Sequence, residues 1–99
     1  MTPEQAYAAL RDAGAVLIDV REPWEHEQAS IPGAVLIPLG ELADRVGEVP
    51  EDRAVYVHCR MGGRSARAVA YLREHGRPES FNVAGGIDAW TEAGLPVSA

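Results

Sequence analysis

The amino-acid sequence predicts an α/β domain, a small parallel β-sheet with helices on both faces and an active-site loop at the C-terminal end of one strand. Three observations carry this expectation. Segments such as Ala15-Val16-Leu17-Ile18 and Ala54-Val55-Tyr56-Val57 are short, continuously apolar runs without the alternation of a half-exposed strand, as expected for strands covered on both faces. Stretches with helical spacing fall between them, and strand–helix alternation favours parallel pairing through helical crossovers. A chain of 99 residues, 46% hydrophobic and 24% charged, has the size and composition of one domain with a single core, so residues 1–99 are expected to form one unit.

The elements follow in order. Thr2-Pro3-Glu4-Gln5 reads as a helix start, with Thr2 as cap, Pro3 at the first helical position and Gln5 as the reciprocal partner, and Gly14 stops that helix. Ala15 to Val20 is the first strand, followed by the charged loop Arg21-Glu22-Pro23 and a short helical turn over Trp24 to Gln28. Ile31-Pro32-Gly33 makes a turn into a brief second strand, Val35-Leu36-Ile37, ended by Pro38. Leu39, Leu42, Ala43 and Val46 recur at helical spacing until Gly47 and Pro50. Ala54 to His58 is the third strand, and Ala66, Val69, Ala70 and Leu72 mark a helix running from Arg64 to Gly76. Ser80 to Val83 is the fourth strand, and after Ala84-Gly85-Gly86 the pair Ile87 and Trp90 opens a last helix that ends at Gly94.

Composition narrows the possible functions. The apolar runs fall far short of the roughly 18–20 residues that a membrane helix needs, so no membrane association is expected. Met1-Thr2-Pro3-Glu4-Gln5 lacks the basic start and apolar stretch of a secretory signal. The one cysteine excludes an internal disulfide, so a reducing cytoplasm is the expected location. A net charge of −6 argues against nucleic acid, which is bound mainly by clustered cationic surface. All basic residues are arginine, but GC-rich coding and ion-pair usage would both produce that bias, and no function follows from it.

The informative stretch is Val57-His58-Cys59-Arg60-Met61-Gly62-Gly63-Arg64-Ser65, between a buried strand and an amphipathic helix. In open parallel sheets, ligands bind beyond the strand C-termini, where loop amides and the positive end of the next helix converge. Gly62 and Gly63 let the backbone curl so that successive N–H groups share one centre, and Arg60 and Arg64 add positive charge at the rim. Such a cradle suits an anion. A free thiol titrates at roughly 8.5, and a helix N-terminus and nearby arginines lower it, so Cys59 is expected to be a surface-accessible nucleophile, largely thiolate near neutral pH. A lone cysteine after an apolar strand is more often an inert buried residue. Here the glycine pair, the arginines and the helix start together favour the reactive reading.

The chain resembles the rhodanese family over nearly its whole length, specifically a single-domain rhodanese. The resemblance rests on Leu17-Ile18-Asp19-Val20-Arg21 with Glu25, on Ile31-Pro32-Gly33-Ala34 with Ile37-Pro38, on the Cys59 to Ser65 loop, and on Gly85-Gly86-Ile87 leading to Trp90. One departure is Ala29-Ser30, where the family often has Gly-His. The resemblance implies a rhodanese-like fold and sulfur transfer: a thiolate takes the outer sulfur of a small anionic donor such as thiosulfate, becomes a persulfide, and passes the sulfur to cyanide, a thiol or a protein. It implies Cys59 as sulfur carrier, with Arg60, Met61, Gly62, Gly63, Arg64 and Ser65 forming the binding loop. Related phosphatases and arsenate reductases carry Cys-x5-Arg around a tetrahedral oxyanion. This chain has Cys-x4-Arg with Ser65 next, a loop sized for one sulfur atom, and its arginines match thiosulfate users better than mercaptopyruvate users. The alternatives are a non-catalytic sulfur carrier or docking module and, less favoured, an arsenate reductase or phosphatase-like enzyme.

Other residues carry structural expectations. Asp19 and Arg21 read as an ion pair fixing the next loop. His58 should face away from the thiol, because adjacent strand residues point to opposite faces. His26 and His75 stand apart from any metal-ligand spacing, and with neither a P-loop lysine nor a dinucleotide glycine motif, no metal and no cofactor are expected. Trp24 and Trp90 are expected as core aromatics.

Overall fold

The structure is a computed structural model describing Met1–Ala99. Its elements are α1 (Pro3–Asp12), β1 (Val16–Asp19), α2 (Pro23–Gln28), β2 (Val35–Leu36), α3 (Leu42–Arg45), β3 (Val55–His58), α4 (Gly63–Glu74), β4 (Ser80–Asn82) and α5 (Gly86–Glu92). Single 3-10 turns, Leu39–Glu41 and Val46–Glu48, flank α3. The helix expected from Leu39 to Val46 is therefore a chain of short turns. The four strands form one parallel sheet in the order β2-β1-β3-β4.

Local signals account for the first helix. Thr2 Oγ1 accepts from Gln5 N at 3.1 Å, and Gln5 Oε1 accepts from Thr2 N at 3.0 Å, which satisfies two amides that a helix start leaves open. The sheet then divides the core by residue parity. Ile18, Val55 and Val57 join Leu42, Val69 and Leu72 on the side of α3 and α4, while Leu17, Tyr56 and Val83 join Ala6, Ile87 and Trp90 on the side of α1 and α5. Each central strand is thus apolar up to its last residue, Asp19 in β1 and His58 in β3, because both of its faces are covered. Together the elements form the α/β architecture expected, a four-stranded parallel sheet with helices on both faces. No helix is long and apolar enough to cross a membrane.

Two consequences position the site. β1 and β3 are neighbours in register, Asp19 opposite His58, so the loops after both strands open at the same edge of the sheet. β4 lies on the other side of β3, pairing Val57 with Asn82, which brings Asn82 to the loop after β3.

Candidate active site

β3 ends at His58 and α4 starts at Gly63, so Cys59, Arg60, Met61 and Gly62 make the connection. Gly62 has φ of +117°, a left-handed conformation that glycine adopts without penalty from a Cβ. The loop curls back at this point, and Gly62 N donates to Cys59 Sγ at 3.0 Å. Gly63 has no positive φ and is simply the first residue of α4, so one glycine of the pair makes the turn.

The loop carbonyls are held from outside by α5. Ile87 N donates to Cys59 O at 2.9 Å and Asp88 N to Arg60 O at 3.2 Å. This contact requires Gly86, where a Cβ would lie 2.4 Å from Cys59 O and 2.5 Å from Arg60 O. With its carbonyls turned to α5, the loop presents amides to the sulfur, a backbone nest for negative charge.

Cys59 is 1% exposed and packs with Ile18, Val57 and Val69, which corrects the expectation of a surface-accessible thiol. The side chain continues the buried face of β3, and the curled loop covers it. Burial pushes the thiol pKa up, but the Ser65 hydroxyl and the amides of Ser65, Gly62 and Met61 outweigh it, and the net shift is downward. Hydrogen bonds lead the lowering, the Ser65 hydroxyl first, and the amides of Gly62 and Ser65 stand at the start of α4, the helix end expected to act on the thiol.

The two arginines play different parts. Arg64 Nη1 and Nη2 donate to Glu25 Oε1 and Oε2 at 2.7 and 3.0 Å, a fork-to-fork pair that holds the Glu25 carboxyl below its usual range and raises the guanidinium pKa. Glu25 also accepts from Glu22 N at 3.0 Å, which locks the start of α2 to the loop. Arg60 is exposed, with Nε 3.5 Å from Asp88 Oδ2. Met61 crowns the loop at 72% exposure. Ser65 is fully buried, with Oγ 3.3 Å from Sγ and 2.6 Å from Asn82 Oδ1.

Buried Asp19, Arg21 and His58, with the half-buried His26, form a second cluster beside the loop. Arg21 Nε and Nη2 donate to Asp19 at 3.0 and 2.8 Å, and Nη2 also reaches Ala29 O at 2.7 Å, fixing the segment that carries Glu25. Burial raises the Asp19 carboxyl, but Arg21, His58 and His26 bring its pKa below the ordinary value. His58 is turned away from the thiol and donates from Nδ1 to Cys59 O at 3.1 Å. Its Nε2 has no hydrogen-bond partner, lies 3.8 Å from Asp19 Oδ2, and burial pushes the imidazole pKa down despite that carboxylate. His26 meets Asp19 Oδ2 at 2.9 Å and so joins the cluster from α2. No group of three or more His, Cys, Asp or Glu side chains is arranged to hold a metal ion.

Trp90 is buried as expected, with Nε1 bonded to Pro96 O at 2.8 Å. Trp24 is 60% exposed, which corrects its assignment to the core. α2 turns Glu25 inward toward Arg64, so its neighbour faces outward and lines a cleft of about 290 Å³ with Arg60, Gln28 and Asp88. Glu25 was legible only as part of a motif. The places of Asn82 and Gly86 had no sequence signal of their own, because their partners lie in other elements.

Residues 2–93 match the family model of the rhodanese-like domain. The chain is 43% identical over 84 residues to a sulfurtransferase of Allochromatium vinosum, spanning 85% of this chain and 78% of that protein. It is 41% identical over 88 residues to the thiosulfate sulfurtransferase GlpE of Pseudomonas syringae pv. syringae, spanning 89% and 82%. The crystal structure of a rhodanese-related protein from Thermoplasma volcanium superposes with a TM-score of 0.91 at 34% identity, covering 99% of this chain and 95% of that one.

Proposed function

The chain belongs to the rhodanese family, and from that premise we propose that it is a cytoplasmic thiosulfate sulfurtransferase working through a persulfide on Cys59. Relatives named as sulfurtransferases support a role in sulfur transfer at large. The observation that carries the finer reading is the loop closed around a single sulfur atom, with Gly62 N 3.0 Å from Sγ and further amides turned inward.

Such a loop stabilises a charged sulfur by hydrogen bonds placed before the reaction begins. The Cys59 thiolate attacks the outer sulfur of thiosulfate, an S–S bond forms at Sγ, and the donor's own S–S bond breaks with its electron pair leaving on sulfite. The terminal sulfur of the persulfide keeps the negative charge inside the ring of amides. An acceptor such as cyanide or a thiolate then attacks that terminal sulfur and releases the Cys59 thiolate. No second cysteine exists in the chain, so the acceptor comes from outside. Arg64 is committed to Glu25, which leaves Arg60, exposed at the cleft edge, as the cation that meets the donor.

A phosphatase or arsenate reductase chemistry fits less well, because the arginine of the loop is engaged outside it and Ser65 occupies the next position against the sulfur. Steady-state assay with thiosulfate and cyanide tests the proposal. Parallel double-reciprocal lines, as for a ping-pong enzyme, and their loss in Cys59→Ser are expected. Turnover that survives in Cys59→Ser would overturn the proposal, and stoichiometric loading without turnover would reassign the protein as a carrier.

A further inference from the structure

Behind Cys59 Sγ, Ser65 and Gly62 belong to a ring of polar groups whose third member, Asn82, the persulfide chemistry does not employ. Ser65 Oγ is 3.3 Å from Sγ, 2.6 Å from Asn82 Oδ1 and 3.2 Å from Gly62 O. Asn82 closes the ring by donating from Nδ2 to Gly62 O at 3.2 Å. That contact fixes the orientation of the amide, since turning it over would set Oδ1 against a carbonyl oxygen, two acceptors facing each other. Oδ1 therefore faces Ser65, and only the serine hydroxyl can supply the proton between them, at a distance typical of a strong O–H···O bond.

The geometry points to Asn82 as a positioning residue that holds the Ser65 proton away from the sulfur and so restrains thiolate formation at Cys59. With the thiol intact every group is satisfied: S–H donates to Ser65 Oγ, Ser65 to Asn82, and Asn82 to Gly62 O. When the thiol proton leaves to a base in solvent, one hydroxyl proton serves both a charged sulfur and Asn82 Oδ1. Ser65 either turns to the sulfur and abandons Asn82, or stays and leaves the sulfur to the loop amides. In both cases the charged state forgoes a hydrogen bond that the neutral state has. The inference rests on Cys59 being the reacting thiol, and it adds a residue from the edge strand β4 to the loop's control.

The charged groups around the loop are Arg64 with Glu25, Arg60 with Asp88, and the Asp19, Arg21, His26 and His58 cluster after β1 and β3. None of these bonds to Asn82; the Met1 ammonium does, donating to its backbone carbonyl at 3.1 Å, so a substitution of the side chain leaves all of these pairings in place.

The test is the pH dependence of iodoacetamide alkylation of the full chain. Asn82→Ala, and Asn82→Leu, which keeps the bulk, free the serine proton for the sulfur. The thiol pKa is then expected to fall by about one unit, the worth of one hydrogen bond to a charged group, with alkylation on the acidic limb up to about tenfold faster. Adding Asn82→Ala to Ser65→Ala gives no further change, because the effect passes through the hydroxyl. If Asn82 only propped Gly62, its loss would slacken the loop, withdraw the Gly62 amide and raise the thiol pKa. A rise or no shift in both Asn82 variants, or an equal fall in the Ser65→Ala background, overturns the assignment. Alkylation requires no sulfur donor, so this outcome is read independently of persulfide formation.

Discussion

Replacing Glu25 by Gln tests how the active loop is fastened to the rest of the protein. The carboxylate takes two bonds from Arg64 and one from the Glu22 amide, and glutamine keeps a single acceptor at the end that faces the guanidinium. Hydrogen bonds to charged groups contribute about 1.5–3 kcal/mol, but the Arg64 side chain is 35% exposed and solvent screening takes the figure down to about 1–2 kcal/mol. For a domain of this size that corresponds to a Tm lower by about 4–15 °C at pH 7. The pH dependence gives a second check. Arg64 depresses the folded-state pKa of Glu25, so the stabilisation is complete above the unfolded carboxyl value of about 4.3 and disappears as pH falls through the lower folded value. Thermal unfolding followed by far-UV circular dichroism at pH 7 and at pH 3 should therefore show a gap between the two proteins that closes in acid. Equal Tm values at pH 7, or a gap of the same size at pH 3, would refute the fastening role.

Three other outcomes follow from the same geometry. Gly86→Ala should cost about 3 kcal/mol or more, since it adds a positive-φ penalty at +59° to overlap with two loop carbonyls, and chemical denaturation would register it; a loss below about 1 kcal/mol would contradict the close approach. Arg60→Ala should leave stability within about 0.5 kcal/mol and raise the KM for thiosulfate about 5–10-fold with kcat little changed, and a fall in kcat at constant KM would deny Arg60 its part in donor binding. Burial keeps His58 neutral, so the stability linked to it is complete above the unfolded value of about 6.5 and is lost as pH falls toward the lower folded value; nuclear magnetic resonance titration of the ring showing a pKa above about 6.5 would contradict this.

Most of the architecture was readable along the chain because parallel strands and their helices are encoded locally. The apolar runs at β1 and β3, the Thr2 and Gln5 cap and the glycine stops all act within a few residues. The region from Leu39 to Glu48 kept its helical spacing of apolar residues but split into short turns, since its apolar positions answer to packing on α4 as much as to helix propensity. Cys59, Gly62 and Ser65 announced themselves by spacing. What remained hidden depends on residues distant in sequence. Whether Arg64 faces the donor or Glu25 is decided by an ion pair across 39 positions, and Asn82 reaches Ser65 only because β4 lies beside β3. Trp24 was misjudged for a related reason, because in a six-residue helix the buried face is claimed by Glu25, a charged residue whose burial makes sense only with Arg64 present.

The central claim, that Cys59 carries sulfur as a persulfide, is tested most directly by intact-protein mass spectrometry after brief incubation with thiosulfate under non-reducing conditions. The account predicts a gain of one sulfur atom, mapped to the peptide containing Cys59, removed by cyanide and absent in Cys59→Ser. An unchanged mass in the wild type, or the same gain in Cys59→Ser, would contradict it.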